Sequence, residues 1–270
     1  MDERKLAVQI FSDLHLELWN KIPEISVKSK YLLLPGDICN ISHPQFFTFL
    51  DYCSINWKYV FYVPGNHEYY VNKKCYTELS QEYSKKIREK YKNVYWLDND
   101  FIFLEEEDIN IYGTTFWTPP PFGSKYQARA IVNDYKSITY FNEIKGYREY
   151  IDLNHVQSFS NESFNKLQNY LNDTTKKTIV ITHFPPNRTG TSDPRFLEKE
   201  RLINSYFAWS DDTLSRFKTD NVLCWISGHT HWSYDFVKDG IRLISNQLGY
   251  KSEAGTTGLI EEGVFEITIS

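Results

Sequence analysis

Short, uninterrupted apolar runs punctuate the chain at Leu6 to Phe11, Tyr31 to Leu34, Tyr59 to Val63, Ile109 to Tyr112, Thr178 to Ile181 and Leu223 to Ile226. Runs this brief, rich in β-branched and aromatic residues, predict strands buried on both faces. Three longer stretches show helical spacing instead, at Pro44 to Tyr52, Asn72 to Tyr91 and His155 to Leu171. On the second, Glu82 precedes Lys86 and Lys85 precedes Glu89 by one turn, so one face is expected to be solvated. The last third returns to strands at Tyr234 to Val237, Arg242 to Ser245 and Val264 to Ile269. Alternating strands and helices followed by a strand-rich end predict an α/β fold, with sheets packed face to face and helices outside. From Trp117 to Arg148 the periodicity fades, which predicts a functional loop or lid.

No repeat, linker or low-complexity segment divides the 270 residues, so one domain over 1–270 is expected. A net charge of −5 argues against a long nucleic acid duplex as partner, because duplex binding needs a contiguous basic face. That limits substrate size rather than substrate charge. Cys39, Cys53, Cys75 and Cys224 show neither a disulfide framework nor zinc-site spacing, and a reducing compartment follows. No apolar run approaches the ~20 residues that span a bilayer. The opening residues read as a first strand rather than a signal peptide, so a cytoplasmic protein without a membrane partner is expected.

The chemistry lies where the strands stop. Every early strand except Ile109 to Tyr112 runs within a few residues into metal-ligand residue types: Asp13-Leu14-His15, Gly36-Asp37, Gly65-Asn66-His67-Glu68, Thr182-His183 and Gly228-His229-Thr230-His231. Ligands of open α/β sheets bind outside the carboxyl ends of the strands, where loops from distant sequence converge. In an extended D-x-H or H-x-H the two side chains lie on one side of the chain, so each pair is able to chelate. A lone histidine there is most often structural. Five of the chain's seven His falling at strand ends, with two Asp and one Asn, make that reading poor. Oxygen and nitrogen donors without thiolate favour Mn, Fe or Zn. The set is too large for one tetrahedral ion and points to two divalent ions sharing a carboxylate.

These five ordered blocks, from Asp13 to His231, resemble the calcineurin-like metallophosphoesterase superfamily. Gly113 to Trp117, Asn133-Asp134-Tyr135 and Asn246 to Tyr250 are similar to a subgroup of small bacterial-type members. The resemblance implies a four-layer α/β/β/α sandwich with a dinuclear metal site at the strand ends. It implies that Asp13, His15 and His231 hold one ion, that Asn66, His183 and His229 hold the other, and that Asp37 bridges them. It places His67 beside the substrate phosphate as general acid or charge stabiliser. Glu68 stands where many relatives carry Asp, at a position that is not a ligand.

The mechanism expected from such a site is in-line attack on phosphorus by a hydroxide bridging the two ions, with His67 protonating the leaving oxygen. Substrate contacts are sought at Asn133, Asp134, Tyr135, Arg148 and Arg188, each of which also has a plain structural reading as turn, core or surface residue. Three functions compete: a phosphoesterase acting on a small molecule or nucleotide, a nuclease acting on single-stranded or branched nucleic acid, and a non-catalytic scaffold. A basic stripe leading to the site would mark the second, and lost ligands would mark the third.

Overall fold

The structure is a computed structural model that describes residues 3–71, 74–121, 125–197 and 205–269. Two sheets organise it. The first has the order β13-β1-β2-β3-β4, with β1 at Lys5–Ile10, β2 at Tyr31–Pro35, β3 at Tyr59–Val63, β4 at Val94–Trp96 and β13 at Val264–Thr268. The second has the order β11-β12-β10-β9-β6-β5. Its strands are β5 (Asp100–Leu104), β6 (Ile109–Thr114), β9 (Lys177–Thr182), β10 (Val222–Ile226), β11 (Tyr234–Lys238) and β12 (Ile241–Ser245). Within each sheet the central strands run parallel, and the outer strands β13, β5 and β11 are antiparallel.

Side-chain alternation explains the layering. Tyr31, Leu33, Phe61 and Val63 point to one side of the first sheet and pack with Ile109, Ile111, Ile179, Ile181, Cys224 and Ile226 of the second. Leu32, Leu34, Val60 and Tyr62 point to the other side. They meet helix α1 (Pro44–Asn56) through Phe46, Phe49, Leu50 and Cys53, and helix α2 (Tyr76–Lys90) through Leu79, Tyr83 and Ile87. On the outer face of the second sheet, Tyr112, Val180, Trp225 and Leu243 pack on Phe164, Leu167 and Leu171 of a long helix at Leu153–Asp173. The result is the expected α/β/β/α order.

The strands run within two residues of their expected limits. The second helix begins later than expected, and Asn72 lies outside the described residues. Its predicted ion pairs form, Lys86 to Glu82 at 2.7 Å and Lys85 to Glu89 at 3.8 Å. The expected loop from Trp117 to Arg148 is more regular than its composition suggests. It contains helix α3 (Lys125–Ile131), helix α4 (Asp134–Ser137) and a hairpin of β7 (Thr139–Asn142) and β8 (Tyr147–Tyr150). The long helix, α5, follows at Leu153–Asp173, and a single turn, α6, lies at Pro194–Leu197. Among the described residues no helix is long and apolar enough to cross a membrane. All four cysteines are free and buried.

Candidate metal centre

β1, β2, β3, β9 and β10 all end at the same edge of the two sheets, and their following residues meet there. The backbone turns sharply to deliver them. Asp13, His15, Asp37, His229 and His231 all have φ between 45° and 77°, the left-handed region that non-glycine residues rarely enter. Such positions cost of order 1–3 kcal/mol each and persist where surrounding contacts over-determine them. Here the contacts are evident: Asp13 N–H donates to Gly36 O, His15 N–H to Asp37 O, and His229 N–H to both Asp13 carboxylate oxygens. Gly36 has φ +85°, and a Cβ there would lie 2.5 Å from His183 Nδ1. At Gly65 a Cβ would collide with Asp37 Oδ1. Both glycines are demanded by the close approach of ligand side chains.

Glu68, fully buried, ties two of these loops together. It accepts from the backbone N–H of Asp37 (3.0 Å), Ile38 (2.9 Å) and Gly65 (2.7 Å), and from the Tyr62 hydroxyl (2.5 Å). Its oxygens are thereby occupied away from the cluster, in keeping with its expected non-ligand position.

The cluster forms three overlapping groups: Asp13 with His15 and His231, His15 with Asp37 and His67, and Asp37 with His183 and His229. Asp37 belongs to two of them. Tautomers follow from the outer hydrogen bonds. His183 Nδ1 lies 2.8 Å from Pro35 O, an acceptor only, so this nitrogen carries a proton and Nε2 faces the cluster. There Nε2 meets Asn66 Oδ1 at 2.9 Å, His229 Nδ1 at 3.0 Å and Asp37 Oδ1 at 3.4 Å. His231 Nδ1 is paired with Glu253 at 2.6 Å, which turns its Nε2 toward His15 Nε2 at 3.0 Å and Asp13 Oδ1 at 3.5 Å. At the His183 end acceptor thus confronts acceptor, Nε2 against Asn66 Oδ1, and at the other end the Nε2 atoms of His15 and His231 face each other. A proton or a cation between such atoms relieves the crowding of lone pairs, and the donor set fits two divalent ions.

Electrostatics agree. Asp37 is held well below the usual carboxylate range: burial opposes ionisation, but the charges of His183 and His67 outweigh it. Burial would lower His183, yet Asp37 raises it to about 9. Burial and the neighbouring His183 keep His229 well below the ordinary imidazole value. His67 is likewise raised to about 9, with Asp37 and Glu17 overcoming the effect of burial. Its ring nitrogens face other groups, Nδ1 toward Glu17 at 3.5 Å and Nε2 toward the Tyr250 hydroxyl at 3.2 Å. The ring also stacks on Tyr70 at 4.1 Å. The ring thus stands within reach of His15 and Asp37 while its nitrogens are engaged by Glu17 and Tyr250.

A cavity of ≈ 320 Å³ opens over the cluster, lined by Asp37, Asn66, His67, His229 and His231 together with Tyr70, Asn133, Asp134 and Tyr250. Of the expected substrate contacts, Asn133 and Asp134 therefore reach it. Tyr135 does not line it; it is 3% exposed and packs in the core beneath α4. Arg148 projects from β8 into a separate surface cleft with Lys74 and Glu78, because the unforeseen hairpin turns it away. Arg188 is half-buried in the loop after β9, its N–H bonded to Asp211 at 3.1 Å, and it is not among the lining residues. The roles of Glu17, Tyr70, Tyr250 and Glu253 at the cluster are not read from the sequence. Glu17 lies two residues beyond His15, Tyr70 two beyond Glu68, and Tyr250 ends the segment Asn246 to Tyr250, whereas Glu253 stands near no motif.

A sequence model of the family described as calcineurin-like phosphoesterase matches residues 7–233. An uncharacterized protein of Acanthamoeba polyphaga mimivirus is 30% identical over 262 residues, covering 90% of each chain. The phosphopantetheinyl hydrolase of Mycobacterium tuberculosis superimposes with TM-score 0.70 over 98% of this chain and 97% of its own, at 16% identity, which speaks to fold alone. A dimetal phosphatase from Danio rerio matches with TM-score 0.43 and 12% identity over 90% of this chain and 87% of its own, too loosely to argue from.

Proposed function

The chain belongs to the calcineurin-like phosphoesterase family and is a phosphoester hydrolase, and from that premise we propose the following division of labour for a small phosphomonoester or phosphodiester, nucleotides included. Asp13, His15 and His231 hold one divalent cation, Asn66, His183 and His229 hold a second, and Asp37 bridges them. Mn, Fe and Zn suit this donor set. Two such ions, when bound, neutralise phosphate charge and bring the pKa of water toward neutrality.

The protein's own groups do the rest. Glu68 fixes the backbone of Asp37 and Gly65, and Asp37 Oδ1 in turn accepts from the His67 N–H at 2.8 Å. His67 keeps its proton at neutral pH and sits at the cavity wall, placed to protonate the departing alkoxide or to steady charge on phosphate. Glu17 and Tyr250 orient its ring. The Tyr70 and Asp134 side chains hold the Asn66 amide from behind, leaving its oxygen toward His183.

One observation carries this reading: ring nitrogens of His15 and His231, and of His183 and His229 with the Asn66 amide oxygen, converge at about 3 Å at the two ends of the cluster, with Asp13 and Asp37 oxygens within 3.5 Å. Elemental analysis of purified protein, combined with a panel of chromogenic monoesters and diesters in Mn²⁺, tests it. Close to two ions per chain and hydrolysis of at least one ester are expected. A folded protein that takes up no divalent ion and cleaves nothing would return it to the scaffold reading. The nuclease reading finds no support in the cavity lining, where no lysine or arginine appears among the described residues.

A further inference from the structure

We propose that the cleft beside the metal centre binds the apolar part of its substrate, so that the preferred esters carry a single phosphate on an alkyl or aryl group. This rests on the phosphoesterase reading and narrows it. The cavity that contains His67, Asn66 and Asp37 is lined by further polar residues, Ser192 and Thr230 among them, and by the apolar Ile131, Val132, Phe196 and Phe207, the apolar wall. These come from the end of α3, from α6 and from the segment after residue 204, so the wall is assembled from separate parts of the chain. Ile131 is 36% exposed and Phe196 47% exposed. The wall begins at the metal centre itself, since the Phe207 ring lies 5.2 Å from the ring of His229.

Large apolar side chains that are partly exposed next to a reactive centre gain free energy when a ligand covers the exposed part. A volume of ≈ 320 Å³ suits a small ester, at the lower end of the usual range for ligand pockets. Among the described residues the lining offers no lysine or arginine for a second phosphate. The lining includes the Asp134 carboxyl group, and Arg195, beside Phe196, is held by Asp193. Hydrolysis forms one P–O bond from water, breaks the P–O bond to the ester oxygen, and releases an alcohol that takes up one proton. That apolar alcohol is the part the wall would hold.

The test uses the Mn²⁺-loaded protein and non-hydrolysable phosphonates, whose binding is read by calorimetry independently of turnover. Hexylphosphonate is expected to bind at least about tenfold more tightly than methylphosphonate, since each added methylene gains a few-fold. In Phe196→Ala most of that gain disappears while metal content and methylphosphonate affinity hold. Ile131→Ala, at the other exposed position, gives the same pattern. Equal binding of the two phosphonates overturns the proposal, as does a chain-length gain that survives in the double variant. Matched alkyl phosphates separate the two readings. Hydrolysis with no chain-length preference removes the apolar wall but not the esterase. Chain-length-dependent phosphonate binding with no hydrolysis of any ester removes the esterase but not the wall.

Discussion

Asn66 and Asp134 are joined by a 2.8 Å hydrogen bond from Asn66 Nδ2 to Asp134 Oδ1, across 68 positions of sequence. The bond decides which end of the amide faces the cluster: with the NH₂ group engaged by Asp134 and by the Tyr70 hydroxyl, Oδ1 points to His183 Nε2. Asp134 is 5% exposed and its second tie, to the Tyr70 hydroxyl, is 2.6 Å long. It acts on the proposed metal site through another residue. Asp134→Ala should therefore weaken one of two bound cations by ~10–100-fold and leave the other nearly unchanged, the range typical for lost outer partners of a ligand. Stepwise titration with Mn²⁺ separates the two sites, and equal weakening of both would mean that Asp134 supports the fold rather than Asn66.

His67→Ala should keep both ions and lose ~10²–10⁴ in turnover, the span for one acid–base group. The ring nitrogens are engaged by Glu17 and Tyr250 and His67 is not among the proposed ligands, so its removal should leave each of those in place. Comparing esters with good and poor leaving groups gives the sharper reading. The deficit should be largest for poor leaving groups, because an acidic alcohol departs without help. A variant that cleaves alkyl esters at the wild-type rate would remove general acid catalysis from the scheme.

The strand-end positions were legible because two strong regularities coincide there. Buried parallel strands announce themselves as brief apolar runs, and Asp13, Asp37, Asn66, His183 and His229 follow such runs almost at once. The supports of those residues left no comparable trace. Glu253 reaches His231 from a turn after β12, and Tyr250 reaches His67 from just before it, both on segments with no periodicity. Arg148 misled for a related reason: charge on an apparently irregular stretch says nothing of direction, and pairing of β7 with β8 settled it. The run Glu105 to Asp108 turns between β5 and β6 as its composition suggests, yet it is not simply solvated. Glu107 is 7% exposed and paired with Lys30 at 2.9 Å, and both Lys30 and Lys58 engage Glu106.

Glu68→Ala should cost about 3–5 kcal/mol of stability, as expected when a buried charged partner is removed from several donors. Four backbone N–H groups, of Asp37, Ile38, Cys39 and Gly65, and the Tyr62 hydroxyl would lose their acceptor in a buried site. Urea denaturation in the presence of a chelator measures this without the contribution of bound metal. Glu68→Gln should fall between the two, because its oxygen still accepts while its NH₂ group opposes a backbone donor. An Ala variant within 1 kcal/mol of the parent would show that these loops are held by packing instead.

Metal affinity should rise with pH by roughly tenfold per unit from neutrality up to about 9, for the cation proposed at Asn66, His183 and His229. The sign follows from the proton that the ion replaces. In the apoprotein Asp37 holds His183 protonated below about 9, and Nε2 must lose that proton before it can coordinate. Below that pH each binding event releases about one proton; above it the histidine is already neutral and the dependence flattens. His229 adds nothing near neutrality, since burial and the charge on His183 keep it well below the ordinary imidazole range. Calorimetry in two buffers of different ionisation enthalpy counts the protons directly. A count near one at pH 7 that vanishes above pH 9 fits the proposed ligand set, whereas affinity independent of pH would place the cation away from His183.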